Sequence, residues 1–181
     1  PSWFFTYGGV KVFDPGIPQV RDYIVKVILN VVDNYDIDGV HMDDYFYPYK
    51  IDGQQIRDAQ TYKTYGGDFV DINDWRRDNV DQLIKMLGDS IHDHKFYMKF
   101  GISPFGIWAN KSHNPAGSDS HGLETYYELY ADARKWMKEG WIDYVVPQLY
   151  RPTNDRLMDY NKLVDWWSDN TFGRHLYIGH A

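Results

Sequence analysis

Apolar residues recur at helical spacing between Pro18 and Tyr35, where Val20, Tyr23, Ile24, Val27, Ile28, Val31 and Val32 gather on one face. The turn signal Asp14-Pro15-Gly16 stands before them, and Asp36-Ile37-Asp38-Gly39 follows. The period then changes. Gly39-Val40-His41-Met42 is a short apolar stretch that stops at Asp43-Asp44-Tyr45, as a buried strand stops at its polar end. A helix leading into a strand is the first predicted unit.

The succession repeats along the chain. A second helix, predicted to start at Asp74 as N-cap, carries Val80, Leu83, Ile84, Leu87 and Ile91 before a strand over Tyr97 to Ser103. A third, from about Leu123 to Lys138, closes at Gly140 ahead of a strand over Ile142 to Leu149. A fourth, near Asp155 to Ser168, leads to Leu176 to Ile178. Repeated helix-to-strand units with short links on one side and long ones on the other predict a parallel α/β sheet. The long links, Tyr45 to Asp74 and Pro104 to Gly122, follow strands, where barrel and doubly wound enzymes carry their chemistry. No glycine-rich phosphate fingerprint follows any strand, which favours a barrel over a nucleotide-binding sheet.

The chain has 181 residues, fewer than the roughly 250 of a complete (β/α)8 TIM barrel. The expectation is therefore one domain over residues 1–181 that forms part of a longer barrel, approximately its fourth to seventh strands with their helices. The chain opens on Pro1, so any signal peptide would lie upstream. A net charge of -7 supplies no basic stripe for phosphates, which argues against a nucleic-acid partner. No apolar run is long enough to span a bilayer. The absence of cysteine excludes disulfides and thiolate metal sites and leaves the compartment open. Aromatic residues make up 18% of the chain, with 16 Tyr, 9 Phe and 7 Trp, more than a core of this size commonly uses. Such rings stack on sugars, although taken alone a tyrosine-rich core and an aromatic-lined interface account for them more readily.

Longer phrases are more specific. Val20-Arg21-Asp22-Tyr23, Asp38-Gly39-Val40-His41-Met42-Asp43-Asp44-Tyr45-Phe46-Tyr47-Pro48-Tyr49 and Trp75-Arg76-Arg77-Asp78-Asn79-Val80 occur in that order. Phe100-Gly101-Ile102-Ser103-Pro104-Phe105-Gly106-Ile107-Trp108 and Gly140-Trp141-Ile142-Asp143-Tyr144-Val145-Val146-Pro147-Gln148-Leu149-Tyr150 follow. With these phrases the chain resembles the glycosyl hydrolase-like ten family of bacterial barrel proteins over almost its whole length. The resemblance implies a (β/α)8 barrel at the cell envelope or outside the cell, exported or lipid-anchored. It also implies a glycosidase acting on cell-envelope polysaccharide such as peptidoglycan glycan strands, and it implies no cofactor.

Alternation along the strand places His41 and Asp43 on one face and Met42 and Asp44 on the other. An acid ending a buried strand is costly unless paired or used, so Asp43 is the leading catalytic candidate. Asp44 is either its partner or a loop-bracing carboxylate. Glycoside hydrolysis needs two carboxyl groups. The second is sought in the long loops, with Glu124 and Asp119 ahead of Asp68 and Asp71, or outside this chain. Asp143 stands at the wrong end of its strand. Substrate-binding candidates are His41, Tyr45, Ser103, Trp108, Gln148, Tyr150 and His180, all at strand ends or just beyond. Arg76 and Arg77 are expected to form structural ion pairs. Two alternatives remain open: a non-catalytic carbohydrate-binding barrel, and a metal-dependent polysaccharide deacetylase using His41 with the aspartates. Open strand edges further predict self-association or pairing with absent segments.

Overall fold

The computed structural model describes residues 2–180. The aromatic opening, to which periodicity assigned no element, folds into an antiparallel hairpin of β1 (Phe4–Tyr7) and β2 (Val10–Phe13). The hairpin reverses at Gly8 and Gly9, whose φ values of 58° and 79° lie in the left-handed region that glycine tolerates. Helix α1 (Pro18–Asn34) begins with Pro18 in its first turn, where the missing N–H costs nothing. Val20, Val25 and Val32 turn inward, and Ile24 and Ile28 pack against the same core. Tyr23, Val27, Val31 and Tyr35, four residues apart in succession, stay exposed. The predicted apolar face of α1 is thus wider than what this chain covers.

Four parallel strands follow in sequential order: β3 (Gly39–Met42), β4 (Lys99–Ile102), β5 (Tyr144–Val145) and β6 (His175–Leu176). Their register places Met42, Ile102, Val145 and Leu176 on one row, and His41, Gly101, Tyr144 and His175 on the row before it. Paired residues of neighbouring strands point to the same face, so each row lines one side of the sheet. Ile102 and Val145 are fully buried in a core with Leu83, Ile84 and Leu87 of α3 (Ile72–His94). Trp136 and Trp167, from α5 (Ala133–Lys138) and α6 (Tyr160–Asp169), complete that layer. His41 and Tyr144 lie on the opposite face, which carries no helix among the described residues. A sequential parallel sheet backed by helices is compatible with a sector of an α/β barrel.

Several boundaries differ from the sequence expectation. Asp71, not Asp74, caps α3, its carboxylate accepting from the amide of Asn73 at 2.8 Å. Asp74 sits in the first turn and pairs with Arg77. The single third helix is two short ones, α4 (Thr125–Glu128) and α5. The break falls at Tyr130, whose φ of 56° ends helical geometry, and Asp132 then caps α5. The fourth helix starts later than predicted, after its cap Asp159. The long link after β3 contains α2 (Ala59–Tyr65). Pattern reading misses these because a cap is chosen by one hydrogen bond, which leaves no periodicity. Among the described residues no helix is long and apolar enough to cross a membrane.

Candidate active site

The chain leaves β3 at Met42, and the next two side chains part company. Asp43 is exposed, whereas Asp44 is 2% exposed. The loop then folds back so that the Tyr49 hydroxyl donates to Asp44 Oδ2. The Gln148 side chain, arriving from beyond β5 and bonded to Ser103 O, acts weakly to lower the pKa of this carboxyl. Burial pushes the Asp44 carboxyl above the usual carboxylate range, and the Tyr49 bond opposes that rise in part. Burial likewise lifts the Tyr49 phenol well above its ordinary value, and the Asp44 bond adds to it. Tyr49 meets Tyr45 edge-on at 5.5 Å between centroids and Phe105 at 6.4 Å. Tyr45 itself is 75% exposed and presents its ring to solvent.

Ser103 and Gln148 tie the strand ends together beneath this carboxyl. Ser103 donates its amide to Met42 O and its hydroxyl to Val146 O, both at 2.8 Å, and its carbonyl accepts from Gln148 Nε2 at 3.0 Å. Its hydroxyl proton is therefore committed to the backbone. On the helix-free face, His41 Nδ1 lies 3.1 Å from the Tyr144 hydroxyl, with the rings stacked at 5.8 Å and 15°. Gly101 between them makes room: a Cβ there would stand 2.1 Å from the Tyr144 ring. Tyr177 meets Tyr144 edge-on at 5.8 Å. Tyr144 and Tyr49 escaped the sequence reading. The register with His41 marks Tyr144 once strand pairing is known, but nothing local marks Tyr49.

Other predicted site residues sit elsewhere. Trp108 is 5% exposed, stacked on Trp166 at 5.8 Å and donating Nε1 to Asp132 at 2.8 Å, so its ring is a wall rather than an open platform. Glu124 is buried and accepts from the Asn110 amide at 2.7 Å and pairs with His113 Nδ1 at 3.0 Å. Asp119 pairs with Lys162 at the surface. Among the described residues, no hydrogen bond or ion pair of either acid reaches Asp44. Tyr150 is exposed, and exposed His180 lies 3.4 Å from the Tyr160 hydroxyl. Asp143 anchors the opposite strand end, accepting from the Phe100 amide at 2.8 Å with His92 Nε2 at 2.9 Å. Arg76 grips Asp58 through two bonds of 2.7 Å. Burial acts to lower the Arg76 pKa, and the Asp58 carboxylate overrides it and raises it. Among the described residues no three His, Asp or Glu side chains converge as a metal-ligand set.

These features define a parallel α/β protein whose acid, amide and phenol groups gather at the carboxyl ends of its strands, the position of the active site in barrel enzymes. The chain belongs to the family described as Glycosyl hydrolase-like 10, whose model matches residues 2–181. It is 52% identical over 185 residues to glycosyl hydrolase YngK of Bacillus subtilis (strain 168), covering 100% of this chain and 36% of that protein. It is 44% identical over 182 residues to glycosyl hydrolase DigH of Escherichia coli (strain K12), covering 99% of this chain and 41% of that protein. The chain thus spans less than half the length of these relatives.

Proposed function

We propose that this chain carries the strand-end half of the active site of a glycoside hydrolase acting on bacterial cell-envelope polysaccharide, such as peptidoglycan glycan strands. The observation that carries the reading is the environment of Asp44: a buried carboxyl beside an exposed one, Asp43, at the end of a parallel strand in a glycosyl hydrolase-like family. Two carboxyls with contrasting environments divide the labour of acid and base. Asp44, held toward its protonated form by burial, gives a proton to the leaving glycosidic oxygen. Asp43, exposed and on the strand face that alternation also gives His41, serves as the partner of Asp44 or cooperates with an acid from outside the chain. Tyr45, Tyr144, Tyr150 and Tyr177 supply rings against which sugars stack. Such a substrate places the protein at the cell envelope or outside the cell. The helix-free sheet face and the exposed row on α1 are then covered by the rest of a barrel or by a second copy.

Mass spectrometry of products from cell-wall glycan strands tests this in the full-length parent protein. New sugar fragments from the parent, with Asp44→Asn slowed by about 10²- to 10⁴-fold, are expected of a lost general acid. Equal cleavage by Asp44→Asn removes Asp44 from the mechanism. Binding without cleavage in the unaltered parent moves the protein to a carbohydrate-binding barrel, the reading favoured by the engagement of Glu124 and Asp119 elsewhere.

A further inference from the structure

The loop that folds Tyr49 onto Asp44 has a second side. Pro48 and Lys50, flanking Tyr49, line a cavity of about 500 Å3 bounded by the hairpin, the loop before α2, the start of α3 and α4. That volume lies within the roughly 300–1,000 Å3 of ligand pockets. Its walls include Tyr127, Tyr130, Gln54, Gln55, Lys50 and Glu128. Every wall except the hairpin and α3 comes from the links that follow β3 and β4, so the cavity opens on the same side of the sheet as Asp44.

The aromatic wall is rigid. Tyr127 is stacked on His113 at 3.9 Å and 21° and crossed edge-on by Tyr126 at 4.8 Å and 77°. His113 is in turn held by Glu124. Tyr130 keeps a left-handed backbone, an unusual state for a bulky residue, and is pinned by Arg76 Nη1 donating to its hydroxyl at 2.8 Å. A wall so fixed is suited to a ring that stacks on it. The polar lining is mixed in sign: Arg76 is neutralised by Asp58, and Lys50 stands with Glu128. Gln54 gives its carbonyl oxygen to the Gly8 amide and keeps its NH2 group, and Gln55 is exposed. Donors and acceptors without net charge match hydroxyls better than an anion.

We propose that this cavity is a second sugar subsite, which takes a neutral pyranose residue of the same glycan at a distance from Asp44, with Tyr127 as stacking platform and Gln55 as hydroxyl ligand. The inference rests on the glycan reading above. It gives Glu124 the part of a positioning residue, acting through His113 on Tyr127.

The test uses the full-length protein with Asp44→Asn to prevent turnover, and calorimetric titration with disaccharide and hexasaccharide fragments of bacterial cell-wall glycan. The hexasaccharide is expected to bind about tenfold or more tighter than the disaccharide, the effect of burying the apolar face of one more ring. Adding Tyr127→Ala or Gln55→Ala should reduce that advantage several-fold and leave disaccharide binding as it was, while Tyr127→Phe keeps the advantage. Should Tyr127→Ala fail to fold, the exposed Gln55→Ala carries the comparison. A hexasaccharide advantage untouched by both substitutions overturns the subsite and leaves the glycosidase reading standing. Failure of the unaltered protein to bind either fragment sinks both.

Discussion

Tyr49 turns its hydroxyl back onto the Asp44 carboxyl five residues earlier, closing the loop over the end of β3. The bond favours the charged form of Asp44 and so works against the burial that raises its pKa. With Asp44 as proton donor, activity falls as pH rises through the raised Asp44 pKa. Removing the bond with Tyr49→Phe raises that pKa further, so the alkaline limb of the rate profile should move to higher pH, with a lower maximum from looser positioning. A pH–rate profile of kcat on glycan strands checks this, and an unmoved or acid-shifted limb contradicts the assigned role.

The buried Asp58–Arg76 pair holds the β3 link against α3 with two charge-assisted bonds. Asp58→Ala leaves the guanidinium enclosed without its partner, at an expected cost of about 3–5 kcal/mol. Urea unfolding monitored by tryptophan fluorescence measures it. A loss under about 1 kcal/mol would show that Arg76 finds water or another acceptor.

Gly101 marks the close approach of Tyr144 to β4. Gly101→Ala pushes the ring aside and separates it from His41, and is expected to cost about 1–3 kcal/mol by overpacking. Tyr144→Phe, which removes only the hydroxyl 3.1 Å from His41, should cost no more than about 0.5–1.5 kcal/mol. Thermal unfolding of the two variants should rank them in that order.

Asp14 is buried where its two carboxylate oxygens take the Gly16 amide and the Thr61 hydroxyl. Burial raises its pKa despite these bonds. A carboxyl with a higher pKa folded than unfolded binds more protons in the native state, so its contribution to stability declines as pH rises from about 4 through the raised value. Asp14→Asn lacks this titration. The difference in unfolding free energy should therefore shift in favour of the variant across that window, and a constant difference would remove Asp14 from the pH dependence.

Much of the frame was legible from local pattern. Val20, Ile24 and Val32 announced α1, and Gly39 to Met42 followed by two aspartates announced a strand with an acid end. The long links after the strands were legible too, because helix and strand periods are properties of neighbouring residues. The alternation rule separated Asp43 from Asp44, but the burial argument chose Asp43, whereas Asp44 is the acid enclosed and Asp43 is exposed. That depended on where Tyr49 and Gln148 arrive, five and 104 residues later. Trp108 was likewise placed in the right link, whereas Glu124, expected inside the third helix, precedes α4, and their packing with Trp166 and His113 followed from the path of that segment.

The sequence by itself determined the parallel α/β class, the end of the sheet where acids gather, and the family to which the chain belongs. Tertiary structure decided which carboxyl is buried, which aromatic rings remain free, and where a cavity opens beside them. Periodic burial is encoded within a few residues of each position. Hydrogen-bond partners across loops are fixed only when segments distant in sequence are brought together, and those partners set the ionisation and exposure on which chemistry depends.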